Sequence, residues 1–259
     1  MIRKITVIPD SFAEKIFFFQ NIDLQELSDP RIVPLFGPNG IGKTTLEKSI
    51  LSYCSEKASY DDLIKSGDVA PDNAEEYFQR GIKRYAGVIL DMDDERTSIF
   101  SYQNSSDNFR IRKPSSYLEA YSPEFFANKL NAIGVSEGQS IIYSVNALLD
   151  GLAHNDLAND SNTTVIALLD EIDSGLSIDN IDFVMRKLKK ALKQHENVQI
   201  FLGFNSPRVL KYFPYVVSLY DGHVKEMHTE DDMLAEIKKN KKNFDKARKK
   251  SNGTPKIFD

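Results

Sequence analysis

The sequence has one cysteine, no long apolar run and no strong excess of charge of either sign. With Cys54 alone, the chain can build neither an internal disulfide framework nor a cysteine-based zinc cluster, which excludes a disulfide-rich secreted domain. No stretch approaches about 18 consecutive apolar residues, so a transmembrane helix is also excluded. Residues 1–20 lack the apolar segment and small-residue cleavage site of a signal peptide. We therefore expect a cytoplasmic protein with no integral membrane segment.

The charged residues are nearly balanced, with 33 Lys+Arg against 38 Asp+Glu and a net charge of −5. This balance excludes a uniformly basic protein that coats nucleic acid, but it allows a local basic face. Basic residues cluster towards the C-terminus, at Lys238, Lys239, Lys241, Lys242, Lys246, Arg248, Lys249 and Lys250. We interpret this cluster first as a solvated helix face. The alternative is an arm that contacts the phosphates of DNA or RNA.

Strand-like and helix-like patterns occupy different parts of the chain. Apolar runs at residues 2–8, 16–19 and 31–36 predict a β-rich start. A strand at 85–90 and a second run at 98–103 predict a hairpin. From residue 136 onward, helical periodicity alternates with buried runs at 163–169 and 198–204, which is typical of parallel α/β folds.

We therefore predict one α/β domain over residues 1–259, with a mainly parallel sheet core, an antiparallel β flank and an inserted helical lobe. A chain of 259 residues is long enough to bury a full core. The flank would span about residues 1–36, and the core about 31–55 and 136–225. The helical and β insert would span about 56–135, and the basic tail about 231–259.

A glycine-rich segment follows the third strand-like run and precedes a helix-forming stretch. It fits the G-x-x-x-x-G-K-[ST] pattern at every fixed position, through Gly37, Pro38, Asn39, Gly40, Ile41, Gly42, Lys43 and Thr44, with Thr45 next. Such glycines let backbone N–H groups surround phosphate oxygens, and the helix N-terminus adds partial positive charge. We predict that Lys43 contacts the β- and γ-phosphates and that the Thr44 hydroxyl binds Mg²⁺. The segment therefore predicts a P-loop NTPase.

The buried run at 165–169 ends in two adjacent carboxylates, Asp170 and Glu171. Asp170 leaves the carboxyl end of a strand, where α/β folds bind ligands, and we expect it to bind Mg²⁺ directly or through water. Glu171 is then placed to orient or deprotonate an attacking water. An apolar run ending in Asp-Glu is often only a strand exit, but beside a phosphate-binding loop it favours hydrolysis.

Three further segments resemble motifs of ATP-binding-cassette (ABC) ATPases. Taken alone, Ser136-Glu137-Gly138-Gln139 is most simply a capped helix start. It also resembles the L-S-G-G-Q signature, which Ser136, Gly138 and Gln139 match and Glu137 does not. Residues 174–179 resemble a D-loop, and residues 205–207 resemble the switch turn, with Asn205 where histidine is usual. With a Glu-Phe-Phe stretch at 124–126 as well, the whole chain resembles compact stand-alone bacterial ATPases of the SMC/RecF/OLD-like branch.

This resemblance implies ATP and Mg²⁺ as cofactors and a head-to-tail homodimer. ATP on Lys43, Thr44 and Asp170 of one copy would be capped by Ser136, Gly138 and Gln139 of the other. ATP would close the dimer and hydrolysis would open it. Asparagine donates hydrogen bonds but does not titrate, so Asn205 predicts slow hydrolysis. Gln103 is the candidate lid glutamine near Mg²⁺ and the attacking water, with Gln79 and Glu124 as competitors.

Four functions fit these motifs to different degrees. The favoured one is a soluble ATPase that acts on nucleic acid or with an effector protein, as in DNA repair or phage defence. The nucleotide-binding subunit of a membrane transporter is disfavoured by the Ser206-Pro207 switch and by the lack of a clear coupling-helix region. The signature and D-loop disfavour a P-loop kinase. The fourth candidate is an ATP switch that does not hydrolyse its nucleotide.

Overall fold

The secondary structure follows an α/β order, as the sequence predicts. The computed structural model describes residues 1–66, 71–92, 96–103, 136–154 and 163–251. Its strands are β1 (Ile2–Val7), β2 (Asn21–Asp23), β3 (Ile32–Phe36), β4 (Val88–Met92), β5 (Arg96–Gln103), β6 (Thr163–Asp170), β7 (Val198–Gly203), β8 (Tyr215–Ser218) and β9 (Val224–Glu226). Its α-helices are α1 (Lys43–Ser66), α2 (Pro71–Gly81), α3 (Glu137–His154), α4 (Ile178–Gln194) and α5 (Glu230–Ser251).

A six-stranded sheet with the order β5-β6-β7-β3-β8-β9 forms the centre of the fold. Its neighbouring strands are parallel, except that β8 and β9 are antiparallel. Every residue of β3, β6 and β7 is buried. Such continuous burial is expected of parallel strands whose sheet is covered on both faces. The predicted α/β fold with a mainly parallel sheet is therefore confirmed.

A second sheet, of order β2-β1-β4, is antiparallel and forms the predicted β flank. The buried side chain of Gln199 on β7 joins the two sheets. Its Oε1 accepts from the Ile2 backbone N–H at 2.8 Å, and its Nε2 donates to the carbonyls of Ile2 and Pro30. These bonds satisfy the backbone N–H and carbonyl of Ile2 and the carbonyl of Pro30.

The helices pack on the central sheet through apolar residues at helical spacing. On α4 the buried residues are Ile181, Val184, Met185, Leu188 and Leu192. On α1, Leu46 and Ile50 are fully buried. No helix in the described ranges is long and apolar enough to cross a membrane.

Two local predictions are wrong. Residues 98–103 do not pair back on 88–92: β5 runs parallel to β6, whereas β4 joins β1 in the other sheet. The apolar run at 16–19 is not a strand but an irregular segment after a short 3-10 helix, Ala13–Lys15. The side chains of Phe17 and Phe19 in this run are nevertheless buried, and their stacked ring centroids lie 5.0 Å apart. Residues 104–135 of the predicted insert, which include 124–126, lie outside the described ranges.

Candidate functional site

The carboxyl ends of three neighbouring strands bring the main motif residues together. β7 lies between β3 and β6 in the sheet. The chain leaves β3 into the glycine-rich loop, β7 into Asn205 and β6 into Glu171. Because parallel strands end at the same edge, Asn205 lies between Lys43 and Glu171. The topology therefore assembles a site whose contacts join residues 34 to 162 positions apart in sequence.

The phosphate-binding loop, residues 37–44, has the backbone conformation that its glycines allow. Gly40 and Gly42 have φ angles of 82° and 111°, where residues with a side chain are strained. A β-carbon on Gly42 would also lie 3.2 Å from the Phe17 ring. A pocket of about 160 Å³ opens beside the loop, lined by Ile16, Asn39, Gly40, Gly42, Lys43, Thr44, Thr45 and Glu171.

Lys43 is buried at the centre of the site. Its Nζ donates to the Gly37 carbonyl at 2.7 Å and to Asn205 Oδ1 at 3.1 Å. Burial lowers the pKa of Lys43, against the raising effect of the carboxylates of Glu171, Asp170, Asp173 and Glu47. The Lys43 ammonium thus lies among several acids. A polyphosphate would bind poorly there unless a divalent cation added positive charge.

The Thr44 hydroxyl donates to Asp170 Oδ2 at 2.5 Å. Asp170 is buried, its Oδ1 has no hydrogen-bond partner among the described residues, and burial raises its pKa. A hydroxyl and a carboxylate, with a free buried oxygen, are the hard ligands that suit Mg²⁺, which keeps most of its waters and takes few protein ligands. The predicted metal residues therefore fit this ion.

Glu171 and Asn205 meet beside Lys43. Glu171 has a φ of 53°, an uncommon conformation for a residue with a side chain, and its backbone N–H donates to the Gly203 carbonyl at 3.1 Å. Asn205 Nδ2 donates to Glu171 Oε1 at 3.5 Å, while Asn205 Oδ1 accepts from Lys43. The carboxamide thus bridges the lysine and the glutamate. Backbone strain at Glu171 is consistent with a functional position.

Glu47 on α1 is a second acid at this edge of the sheet. Its side chain is 1% exposed, and neither carboxyl oxygen has a partner within hydrogen-bond geometry among the described residues. A β-carbon on Gly203 would lie 3.0 Å from Asp170 Oδ1 and 3.3 Å from Glu47 Oε1, so the two acids face the same glycine. Burial and then Asp170 raise the pKa of Glu47 well above its ordinary value, against smaller lowering effects of the Gly203 backbone and Lys43.

The residues that resemble the signature lie apart from this pocket. Ser136 and Gln139 form a reciprocal capping box, because Gln139 Oε1 accepts from the Ser136 N–H at 3.0 Å and Ser136 Oγ accepts from the Gln139 N–H at 3.3 Å. Ser136 and Gln139 are exposed, and Gly138 is buried. A β-carbon on Gly138 would lie 3.4 Å from the Gly175 carbonyl oxygen and 3.5 Å from Leu176. The segment that resembles the signature therefore packs on the segment of its own chain that resembles a D-loop.

The candidate lid residues differ in position. Gln103 ends β5, and its α-carbon lies opposite that of Asp170 in the parallel ladder. Gln79 is exposed on α2, and Glu124 lies outside the described residues. The ladder therefore places the Gln103 backbone beside Asp170.

A larger cleft lies elsewhere. It has a volume of about 340 Å³ and is lined in part by Arg31, Lys189, Lys193, Tyr212 and Phe213. Its walls come from the start of β3, the end of α4 and the segment before β8, at the opposite edge of the sheet from the glycine-rich loop. None of the motif residues lines it.

Sequence reasoning missed three residues of the site: Ile16, Glu47 and Asp173. Ile16 lines the pocket and is 38% exposed. Asp173 is buried and binds the turn that follows β7. The only signal for Asp173 in the sequence is its place three residues after Asp170, in the turn that follows β6, whereas Ile16 and Glu47 carry no local signal.

No protein-family model matches the chain, and no curated protein matches it. Among solved structures, the dimeric ATP-binding cassette MJ0796 bound to ADP and Pi is 17% identical, with a TM-score of 0.39 over 82% of this chain and 90% of that one. An inward-facing structure described as a metal-chelate type ABC transporter is 20% identical, with a TM-score of 0.42 over 86% of this chain and 81% of that one. PCH-2 of C. elegans is 14% identical, with a TM-score of 0.32 over 81% of this chain and 41% of that one. Because all three TM-scores are low, the function has to be inferred from the residues of this chain.

Proposed function

We propose that this chain is an ATPase that binds Mg-ATP at the carboxyl ends of β3, β6 and β7. The observation that supports this most is the contact network at one sheet edge. It joins Lys43 to Asn205, Asn205 to Glu171 and Thr44 to Asp170. ATP hydrolysis needs a cation for the phosphates, oxygen ligands for the metal and a base for the attacking water, and these contacts bring all three kinds of group together.

Each residue of this site would have a separate role in ATP hydrolysis. Loop N–H groups and the Lys43 ammonium bind the phosphates, and Thr44 and Asp170 would hold Mg²⁺. When bound, the metal supplies charge neutralisation on the phosphate oxygens. Glu171 orients a water and accepts its proton as the water oxygen attacks the γ-phosphorus. The bond to the β-phosphate oxygen breaks, and the products are ADP and inorganic phosphate.

The pocket beside the loop is too small and open to enclose a nucleotide. Its volume of about 160 Å³ is below that of typical small-molecule sites, which measure roughly 300–1,000 Å³. We propose that a second copy completes the site head-to-tail, with its Ser136, Gly138 and Gln139 on the γ-phosphate. Ser136 and Gln139 are exposed, as such a contact requires.

We further propose that hydrolysis is slow and drives a conformational switch on nucleic acid or an effector protein, in a DNA-repair or phage-defence setting. Asn205 supports slow turnover, because a carboxamide cannot carry a proton as histidine would. The lysines of α5 from Lys238 to Lys246 are exposed and could meet phosphates. A transporter subunit and a non-hydrolysing switch are the alternatives that experiment has to separate.

The deciding experiment compares phosphate release and binding of a fluorescent ATP analogue for wild type, Glu171→Gln and Lys43→Ala. Glu171→Gln should lower kcat by about 100-fold or more while ATP affinity changes by less than about threefold, because only the proton acceptor is lost. Lys43→Ala should lose binding. Glu196→Gln, an exposed acid, is the matched control and should behave as wild type.

The remaining outcomes separate the alternatives. Wild-type turnover no higher than that of Glu171→Gln would indicate a non-hydrolysing switch. Co-purification with an integral membrane protein would favour the transporter subunit. An ATP-dependent shift on added DNA that is lost when Lys238 and Lys239 are changed to Glu would support a nucleic-acid partner.

A further inference from the structure

Asp173 is a buried acid that none of the proposed catalytic steps uses. It is 6% exposed and directly precedes residues 174–179, the segment that resembles a D-loop. Its Oδ2 accepts from the backbone N–H of Asn205 at 2.8 Å and also from the N–H of Ser206. Two N–H groups that converge on one carboxylate oxygen hold a turn more firmly than neutral hydrogen bonds do. Asp173 therefore fixes the backbone at the position where β7 enters the site.

The direction of the Asn205 side chain depends on this turn. Asn205 is exposed, so packing contributes little to its orientation. Its carboxamide nevertheless contacts Lys43 on one side and Glu171 on the other. The end of the turn after Asn205 is also held, because Ser206 Oγ accepts from the Arg208 N–H and caps the following 3-10 helix. The start of the turn, at Asn205, is held by Asp173.

The segment that begins at Asp173 also reaches the signature. The Gly175 carbonyl and Leu176 pack on Gly138 of the same chain. Asp173 does not line the pocket beside the phosphate-binding loop. An effect of Asp173 on chemistry must therefore pass through the turn, not through contact with the phosphates.

We propose that Asp173 is a positioning residue for ATP hydrolysis, holding the turn after β7 so that the Asn205 carboxamide lies between Lys43 and Glu171. The inference rests on the proposed ATPase function. It assigns Asp173 no direct contact with ATP. Its loss should therefore slow the reaction without weakening nucleotide binding.

The first test compares kcat and KM for three substitutions. Asp173→Ala and Asp173→Ser both remove the acceptor that reaches the two N–H groups. Because the turn is exposed, water can bind these N–H groups instead, and we expect at least one of the two variants to fold. Each should lower kcat about tenfold or more and change KM for ATP by less than about threefold. Asp173→Asn keeps an acceptor oxygen at the same place and should restore kcat to within about threefold of wild type. The exposed Asp231→Ala is the matched control.

The second test is a double-mutant cycle with Asn205→Ala. If Asp173 acts through Asn205, Asp173→Ala should lower kcat by less than about twofold in the Asn205→Ala background. An undiminished effect in that background would overturn the proposal. A variant whose KM for ATP rises while its kcat stays unchanged would also overturn it.

The third test does not depend on turnover. In nucleotide-free, ¹⁵N-labelled protein, the side-chain amide signals of Asn205, assigned by their absence in Asn205→Ala, should shift in Asp173→Ala and stay unchanged in Asp173→Asn. Unshifted signals in Asp173→Ala would refute the positioning role. Absence of phosphate release from wild type would refute the ATPase function instead, and the amide signals would still decide whether Asp173 positions Asn205.

Discussion

At the scale of single residues, Asn205 is the most informative side chain of the site. It joins Lys43 to Glu171 through one carboxamide, accepting from the ammonium and donating to the carboxylate. Asparagine can do both at once because it carries a carbonyl oxygen and an NH₂ group. A neutral histidine could also accept and donate, and it could in addition take up a proton near neutral pH.

This difference predicts that Asn205→His raises ATP turnover. We expect kcat to increase by about tenfold, because the imidazole can transfer a proton where the carboxamide cannot. The rate should also acquire a dependence on pH near the ordinary histidine pKa of about 6.5. Steady-state phosphate release between about pH 5.5 and 8.5 measures both effects. Asn205→Ala, which should be slower than wild type, is the control, and a rate unchanged in Asn205→His would contradict the explanation for slow hydrolysis.

At the scale of elements, helix α1 combines two roles that oppose each other. Leu46 and Ile50 bury apolar surface on the sheet, whereas Glu47, between them, buries a carboxyl group that has no hydrogen-bond partner in the part of the chain that the structure describes. Burying an ionised group without partners costs free energy, and the group responds by holding its proton to higher pH. The stability of the helix on the sheet should therefore depend on pH.

We predict that Glu47→Leu and Glu47→Gln stabilise the protein at neutral pH by about 1–3 kcal/mol. The pKa of Glu47 is raised in the fold, so the folded state holds a proton that the unfolded state releases as the pH rises above the ordinary value of 4.5. The wild type should thus lose stability relative to Glu47→Gln as the pH rises from 4.5 through the raised pKa, and the difference should vanish below 4.5.

Urea unfolding of wild type and both variants at about pH 4 and about pH 8 measures this difference. The exposed Glu196→Gln serves as the control for removing one acid. A stability difference that is equal at the two pH values would show that the cost of Glu47 is not electrostatic.

At the scale of the whole molecule, the signature-like segment and the glycine-rich loop are separate surfaces of one chain. The signature-like segment packs on residues 175–176 of its own chain, and its exposed residues Ser136 and Gln139 do not line the pocket beside the loop. A head-to-tail pair would use both surfaces of each copy at once and close with twofold symmetry. Closure would need ATP, because in this arrangement the bound γ-phosphate is the group that the two copies share.

We predict that Ser136→Asp prevents this pairing without harming the fold. Aspartate is a good N-cap, so α3 keeps its start, but its charge would oppose the γ-phosphate held by the other copy. In a Glu171→Gln background, sedimentation velocity should show a dimer with Mg-ATP, and Ser136→Asp should leave a monomer that still binds ATP. Ser136→Asn, which keeps the cap without the charge, should dimerise. A dimer that survives Ser136→Asp would place the interface elsewhere.

The sequence by itself predicted the class of fold, which the structure confirms, and it predicted the chemistry proposed for the site. The glycine-rich loop, Asp170, Glu171 and Asn205 were identified from short contiguous segments, because a phosphate-binding turn and a strand exit are local structures. The alternation of buried runs with amphipathic helices similarly predicted the parallel sheet.

Only the tertiary structure decided which segments are neighbours. β5 pairs with β6 and not with β4, although β4 is nearer in sequence, and Glu47 is buried although most glutamates on helices are solvated. Strand pairing and burial depend on surfaces contributed by distant residues, which no local pattern contains. The bridge from Lys43 through Asn205 to Glu171, and its support by Asp173, exist because β7 lies between β3 and β6.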